Sequence, residues 1–229
     1  MADRVHTTIE ESVATIRMDD GKVNALSPDM QREINEALDH AELEGVTAVV
    51  LAGNNRVFSG GFDLKVLTGG GEPAIEMLAG GFELAARVLA YPKPVVMACT
   101  GHAIAMGSFL LLTGDHLVGA TDFRIQANEV AIGLTMPYSA LAIIQYRLTP
   151  AAAQRAIGLS AEFQGENAVA AGYLDELVPS ELVLTRAQEV ARSFAGLDAR
   201  AHKDSKLRAR AAVLEAVRDG IATEFRPSN

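Results

Sequence analysis

The sequence has almost no cysteine and no tryptophan. Cys99 is the single cysteine among 229 residues, so no disulfide forms within the chain, and aromatic residues make up only 5%. The longest apolar run, residues 95–113, is interrupted by glycine, histidine and serine, which argues against a membrane-spanning helix. The first residues lack the charged and apolar segments of a secretion signal, so we expect a cytoplasmic protein.

Basic residues are in deficit. Twenty Lys and Arg against 29 Asp and Glu give a formal net charge of −9 at pH 7. This is the wrong sign for general binding to nucleic acid or acidic lipid, so we expect neither a nucleic-acid nor a membrane partner. An anionic ligand must meet a local basic cluster. The densest basic segment contains Arg200, Lys203, Lys206, Arg208 and Arg210, with Asp204 as its acidic member.

The usual catalytic and metal-binding motifs are also missing. The five histidines have no metal-ligand spacing, and HExxH and CxxC are absent, so no metal site is predicted. Residues 69–71 are three glycines, but no Lys-Ser or Lys-Thr pair follows them, and no GxGxxG follows a predicted strand. Ser59 and Ser108 lie outside any GxSxG, which disfavours a serine nucleophile.

The spacing of apolar residues predicts an α/β domain. Residues 5–9 and 13–18 alternate as a β-hairpin at the edge of a sheet, and Ser27 caps a helix that ends near Gly45. Strands and helices then alternate, which indicates parallel strands joined by helical crossovers. The predicted strands are 46–52, 94–98, 115–119 and 123–125, and the predicted helices are about 73–90 and 106–113. From Pro137 onward the sequence is mainly helical, apart from a predicted strand at 174–178.

Two glycine-rich corners follow predicted strands. In residues 57–64, the adjacent Gly60 and Gly61 permit positive φ and close backbone approach. Residues 100–108 follow the strand at 94–98 and open a helix, where free N–H groups favour a developing anion. Each corner alone also fits a tight turn that merely needs small residues. Together they predict two converging backbone donors, an oxyanion hole.

At these corners the sequence resembles the crotonase superfamily, the enoyl-CoA hydratases and isomerases, over essentially its whole length. Four segments in the family's order carry the resemblance: 24–27, 58–63, 100–107 and 128–134. The resemblance implies the ClpP/crotonase type of α/β fold, with repeated ββα units and a helical C-terminal region. We expect one domain over 1–229, with its core at about 1–195 and a helical segment at about 196–229. A homotrimer or hexamer is also implied.

The resemblance assigns roles to individual residues. It places backbone oxyanion donors at Gly60 and Met106 and a catalytic glutamate at Glu129. A CoA thioester is then the substrate, and no cofactor is expected. The expected CoA contacts are Lys22, Asn24, Ala25, Leu26, Ser59 and Lys206. The expected lining of the substrate pocket is Phe62, Phe109 and Tyr138.

Phe109 distinguishes between the reactions of this family. Hydratases carry a glutamate at that position, one of two that hold and activate water, and a phenyl ring does neither. One carboxylate suffices to move a double bond from the β,γ to the α,β position, by removing a proton at C2 and returning it at C4. We therefore predict a Δ3 to Δ2 enoyl-CoA isomerase in which Glu129 shuttles the proton. An enoyl-CoA hydratase and a non-catalytic acyl-CoA-binding protein are the alternatives. The apolar residues after Glu129 predict a buried carboxylate with a raised pKa.

Overall fold

Two sheets organise the described part of the chain, residues 3–43 and 45–225 of a computed structural model. The strands are β1 (Val5–Glu10), β2 (Val13–Met18), β3 (Ala48–Ala52), β4 (Val57–Ser59), β5 (Val95–Ala98), β6 (His102–Ile104), β7 (His116–Gly119), β8 (Ile125–Gln126), β9 (Glu162–Phe163) and β10 (Glu176–Leu177). The larger sheet has the order β1-β2-β3-β5-β7-β10, and the smaller has the order β4-β6-β8-β9. Only the β1–β2 and β8–β9 pairs are antiparallel among these described strands.

Helices cover the sheets and make up most of the C-terminal third. They are α1 (Pro28–Ala41), α2 (Leu64–Gly69), α3 (Gly71–Ala90), α4 (Met106–Leu111), α5 (Tyr138–Arg147), α6 (Pro150–Leu159), α7 (Gly165–Ala171), α8 (Val183–Ser193), α9 (Ala199–Ala209) and α10 (Ala211–Phe225). Short 3-10 turns lie at Val130–Ile132, Ser180–Leu182 and Phe194–Gly196. No helix in the described ranges is long and apolar enough to cross a membrane.

The predicted repetition of ββα units is confirmed. In each unit a strand of the larger sheet leads directly into a strand of the smaller sheet and then into a helical segment. The units are β3-β4-α2, β5-β6-α4 and β7-β8 with the turn Val130–Ile132. Because β4, β6 and β8 are parallel neighbours, the segments that follow them meet at one edge of the smaller sheet. At this edge lie residues 60–62, 105–106 and 127–129.

Most of the predicted elements are present, with shifted ends. The β1–β2 hairpin lies at a sheet edge as predicted, and Ser27 Oγ accepts the N–H of Met30 at 3.2 Å as the cap of α1. The helix α1 ends at Ala41 rather than near Gly45. The amphipathic stretch from Ala199 to Phe225 is two helices, separated at Arg210. The guanidinium of Arg210 donates to three backbone carbonyls, those of Leu89, Thr113 and Gly114.

Candidate active site

The turn after β4 offers one free backbone donor. The N–H of Gly60 donates to the carbonyl of Val23 at 2.8 Å, and the N–H of Gly61 donates to Ser59 Oγ at 3.2 Å. The prediction that Gly60 is an oxyanion donor is therefore wrong, because its hydrogen is already bonded within the chain. The next N–H, that of Phe62, has no acceptor within residues 3–43 and 45–225. It is the donor that this corner presents to a ligand.

Asn24 and Ser59, both predicted CoA contacts, hold the same corner together with their side chains. Asn24 is fully buried at a φ of 50°, and Ser59 Oγ donates to its carbonyl at 2.8 Å. The Asn24 amide nitrogen donates to three carbonyls, those of Met18, Val57 and Phe58, at 3.0 to 3.2 Å. The prediction of ligand contacts by these two side chains is corrected, since both are buried and bonded to backbone.

The remaining residues of the predicted CoA turn divide by exposure. Leu26 is fully buried, and its N–H donates to the Gly61 carbonyl at 2.8 Å, so its side chain belongs to the core and not to a ligand site. Ala25 is half-buried and Lys22 is exposed at the start of the turn. Lys22 is therefore the cation of this turn that is accessible to a phosphate.

The second corner packs directly against the first. Gly61 has a φ of 91°, and a Cβ on it would lie 3.0 Å from Ala105 Cβ and 3.4 Å from the nitrogen of Met106. A Cβ on Gly107 would lie only 2.3 Å from the Ser59 carbonyl oxygen. Glycine is therefore required at both positions, because any side chain would separate the corners. Their contact brings the Phe62 turn against the start of α4.

Met106 begins α4, and its N–H is the predicted second donor. The first N–H groups of a helix have no partner within the helix, and this one has no acceptor elsewhere in the described part of the chain. The Met106 side chain is fully buried, so it points away from solvent while the backbone keeps its free hydrogen. The N–H of Met106 is free to donate to a ligand, and its role as an oxyanion donor stays a prediction.

Glu129 is a buried carboxylate at the same edge. It follows β8, whose Gln126 carbonyl accepts the N–H of Ala105 at 2.9 Å and so ties β8 to the second corner. Its side chain is 8% exposed, and Glu129 Oε2 has no hydrogen-bond partner within the described residues. Burial raises the pKa of Glu129 to about 7, opposed by a hydrogen bond from its own backbone. A group with this pKa can accept and return a proton near neutrality.

The cause of this burial differs from the one predicted. The apolar residues Val130, Ile132 and Leu134 were expected to desolvate the carboxylate, but they are 43%, 57% and 47% exposed. They point outward because the chain turns after Glu129, where Ser160 Oγ accepts the N–H of Ala131 at 3.1 Å. Glu129 is therefore desolvated by packing against the interior and not by its neighbours in sequence.

Phe109 lies within a cluster of four aromatic rings. It is 1% exposed and stacks on Phe82 of α3, with ring centroids 6.2 Å apart. Phe82 also packs edge to face against Phe62, with ring centroids 6.2 Å apart, and stacks on Phe225 of α10, with ring centroids 5.8 Å apart. The position that would hold a second glutamate is thus filled by a packed phenyl ring. Phe62 and Phe109 share this cluster. Their role as pocket residues stays a prediction.

Sequence reasoning missed Phe82 and Phe225. A signal for Phe82 exists in the glycine pair that precedes it inside α3, since glycine within a helix marks close approach of a neighbour. A Cβ on Gly81 would lie 2.4 Å from the ring of Phe62. Nothing local indicates Phe225, because its contact depends on α10 folding back over α3.

The structure contradicts two further predictions, those for Lys206 and Tyr138. Lys206 was expected to contact CoA, but its side chain is 4% exposed and its Nζ lies 2.6 Å from Asp115 Oδ2. Burial lowers the pKa of Lys206 to about 8, opposed by Asp115. This buried, paired amine is not available to a phosphate. Tyr138 is 59% exposed and lines an open groove of about 540 Å³ between α5 and α10, not the aromatic cluster.

Comparison with known proteins shows the family of this chain. Residues 8–225 match the family described as enoyl-CoA hydratase/isomerase. The chain belongs to this family of the crotonase superfamily, whose members are enzymes, and it has the crotonase fold.

Three relatives illustrate the similarity. An enoyl-CoA isomerase from Mycobacterium tuberculosis is 60% identical, with a TM-score of 0.95 over 98% of this chain and 100% of that chain. An enoyl-CoA hydratase from Mycobacterium marinum is 59% identical, with a TM-score of 0.93 over 97% and 100% of the two chains. A probable enoyl-CoA hydratase from Mycobacterium avium is 33% identical over 75% of this chain and 67% of its own length. The names of these relatives include both reactions of the family.

Proposed function

We propose that this protein isomerises β,γ-enoyl-CoA to α,β-enoyl-CoA, with Glu129 as the proton shuttle. The observation that carries the proposal is Glu129, the one buried carboxylate among the described residues, at the edge where β4, β6 and β8 end. The second carboxylate that would hold water is replaced by Phe109, which is 1% exposed in an aromatic cluster. One base without a second carboxylate to hold water favours proton transfer between carbon atoms over the addition of water.

The reaction follows from the groups at this edge. The thioester carbonyl oxygen accepts hydrogen bonds from the N–H groups of Phe62 and Met106. Glu129 takes a proton from C2, and the electrons move into the carbonyl to give an enolate that these two donors stabilise. Loss of one such donor typically costs about 3 kcal/mol in the barrier. Glu129 then returns the proton at C4, the double bond shifts to C2–C3, and the carboxylate is regenerated.

The acyl chain and the CoA group occupy different parts of the site in this proposal. The apolar chain packs against Phe62, a ring of the aromatic cluster that is only partly buried. The phosphates of CoA bind Lys22, which is exposed and precedes Val23, the residue whose carbonyl accepts the N–H of Gly60 in the first corner. Replacement of Lys22 by Ala should weaken binding of acyl-CoA, whereas replacement of the exposed Lys203 on α9 should have a smaller effect.

Enoyl-CoA hydratase is the second candidate. A carboxyl group with a pKa near 7 can take a proton from water and return it to carbon, and the hydratase names of two relatives favour this reaction. Glu129 would then have to orient water alone. This leaves the attacking oxygen less constrained than between two carboxylates, so we expect hydration to be slow.

Product analysis distinguishes these reactions. The protein is incubated separately with a trans-3-enoyl-CoA and a trans-2-enoyl-CoA, and products are identified by mass and retention time. We expect rapid conversion of the first into the trans-2 isomer and little 3-hydroxyacyl-CoA from the second. Hydration of crotonyl-CoA at about 10 per second or faster would reject the isomerase proposal in favour of a hydratase.

A further inference from the structure

Two of the buried polar groups without a partner belong to the same region of the molecule. Within residues 3–43 and 45–225, the buried side-chain atoms that make no hydrogen bond are Thr100 Oγ1, Asn128 Oδ1, Glu129 Oε2, Tyr173 OH and His202 Nε2. Tyr173 is fully buried, so its hydroxyl has no access to bulk water. A buried hydroxyl without a partner is costly and requires an explanation.

The packing of Tyr173 brings its ring to the end of the smaller sheet. Its ring packs against Phe163 of β9, with centroids 5.0 Å apart. Phe163 lies opposite Ile125 in the antiparallel β8–β9 pair, and Glu129 follows β8 directly. Tyr173 therefore packs on the β8–β9 pair, the strand pair that leads to Glu129, whereas the residues that carry the two backbone donors follow β4 and β6.

Electrostatics also link the two groups. Burial raises the pKa of the Tyr173 hydroxyl above its usual range, and the negative charge of Glu129 raises it further. The phenol thus stays neutral and keeps its proton beside a carboxylate. A positive charge also faces this aromatic pair, because the guanidinium carbon of Arg155 lies 5.3 Å from the Phe163 ring centroid.

We propose that the Tyr173 hydroxyl donates a hydrogen bond to Glu129 Oε2 when substrate is bound, so that the other carboxylate oxygen faces C2 and C4. Catalytic hydrogen bonds are often absent from ligand-free geometry and tighten in the complex. Tyr173 contacts the base and not the reacting atoms, so it is a positioning residue. This role of Tyr173 rests on the proposed role of Glu129. No sequence motif indicates Tyr173.

The bond has a defined effect on the carboxyl group. A neutral O–H that donates to the carboxylate stabilises its charged form and holds its pKa below the value that burial alone would give. Removal of this donor raises the pKa of Glu129 in the complex. It also frees the carboxylate to rotate, which lowers kcat while leaving KM nearly unchanged.

The test replaces only the hydroxyl, with Tyr173→Phe. Protein labelled with ¹³C at glutamate carboxyls is titrated in the presence of saturating butyryl-CoA, which has no double bond to isomerise, and the Glu129 signal is assigned by its loss in Glu129→Gln. We expect the pKa of Glu129 to be higher in Tyr173→Phe by about half a unit or more. In turnover with a trans-3-enoyl-CoA, kcat at pH 7 should fall about fivefold with little change in KM.

Tyr91→Phe is the matched control. Tyr91 is also buried, but its hydroxyl donates to the Leu38 carbonyl at 2.8 Å, between α1 and α3. This variant should lower the melting temperature and leave the titration of Glu129 unchanged. Incorporation of 3-fluorotyrosine strengthens the phenol as a donor and should lower the pKa of Glu129 without removing any packing. The same incorporation into Tyr173→Phe should leave that pKa unchanged.

The outcomes separate this inference from the proposed function. An unchanged Glu129 titration in both Tyr173→Phe and the fluorotyrosine protein would overturn the role of Tyr173, whatever reaction the enzyme catalyses. A shifted titration without isomerase turnover in the unmodified protein would support the hydrogen bond and reject the proposed reaction. Thermal unfolding of each variant shows whether the fold is retained.

Discussion

The raised pKa of Glu129 comes from its burial and not from a neighbouring charge. An exposed glutamate is almost fully ionised and weakly basic at pH 7, whereas burial of this side chain raises its pKa to about 7. The base must be ionised to accept the C2 proton. We expect kcat/KM for isomerisation to rise about tenfold per pH unit below pH 7 and to level off above it. Initial rates from pH 5 to 9 test this, and a flat profile would exclude Glu129 as the base.

Glu129→Gln removes the base while keeping the shape of the side chain. We expect the isomerisation rate to fall by about a thousandfold and the Kd for butyryl-CoA, measured by calorimetry, to stay within about threefold. Glu10→Gln, an exposed change on β1, is the control. If neither reaction is detected in the unmodified protein and Glu129→Gln leaves acyl-CoA binding intact, the non-catalytic binder becomes the better account.

The raised pKa also predicts a dependence of stability on pH. The unfolded chain ionises Glu129 near pH 4.5, before the folded protein does, so stability falls as pH rises from about 4.5 to 7. The full penalty, about 3 kcal/mol, is present above pH 7 and absent below pH 4.5. Urea unfolding should therefore show Glu129→Gln gaining stability over the unmodified protein at pH 8 but not at pH 4.5. An equal difference at both pH values would contradict the raised pKa.

At the scale of elements, the contact between the two glycine corners determines where the donors lie. A Cβ on Gly61 would press on Ala105 Cβ at 3.0 Å and on the Ile104 carbonyl at 3.1 Å, at a φ of 91°. We expect Gly61→Ala to displace α4 from the turn and to lower kcat about a hundredfold, the scale of one lost oxyanion donor. Gly45 has the same φ with nothing within 4 Å. Gly45→Ala should therefore lose about 1 kcal/mol of stability without losing activity.

Helix α4 also presents Phe109 to the aromatic cluster. Phe109→Glu restores the carboxylate that hydratases carry at this position, so the variant either gains hydration or loses stability. Because the ring is 1% exposed and stacked on Phe82, the structure favours the second. We expect the new carboxylate to lower the free energy of unfolding by about 3–5 kcal/mol. Phe109→Leu should cost about 1–2 kcal/mol and retain isomerisation. Efficient hydration by a stable Phe109→Glu variant would show that water enters this pocket.

What the sequence predicted well was local or periodic. The strand and helix order and the cap at Ser27 follow from patterns within a few residues of one another. Glu129 is buried as predicted, but the apolar neighbours on which that prediction rested are exposed. The errors came from distant partners. Whether Gly60 has a free N–H depends on the carbonyl of Val23, and whether Lys206 is free depends on Asp115, 91 residues away. Such pairings are properties of the folded chain and leave no pattern beside the residue.

At the scale of the whole molecule, the last two helices, α9 and α10, pack against the rest of the same chain. Lys206 and Arg210 both pair with Asp115, at 2.6 and 2.9 Å, and fasten the end of α9 beside the start of β7. Helix α10 packs on α3 and α5, where Ser139 Oγ donates to the Val217 carbonyl at 2.8 Å. Phe225 then stacks on Phe82. The apolar face of α10 is thus covered within one protomer.

This packing changes the basis for the expected oligomer. The trimer or hexamer that the family resemblance implies requires exposed apolar surface, but α10 does not supply it because its apolar face is used inside the protomer. The segment after Glu129 instead exposes Val130, Ile132, Leu134 and Tyr138, each at least 43% exposed. We propose that this segment lies in the interface between protomers, because contiguous exposed apolar side chains mark association surfaces. A trimer or hexamer then needs no exchange of α10 between chains.

Light scattering on a size-exclusion column tests the assembly. We expect the unmodified protein at micromolar concentration to have three or six times the 24.2 kDa of one chain. Ile132→Asp should shift this mass toward one chain, because association would bury the new charge without a partner. Leu182→Asp, at an apolar residue of similar exposure before α8, should leave the mass unchanged. A monomeric unmodified protein would reject the oligomer itself. If Ile132→Asp does not change the mass of the oligomer, the interface lies elsewhere and the proposed role of the exposed segment after Glu129 is wrong.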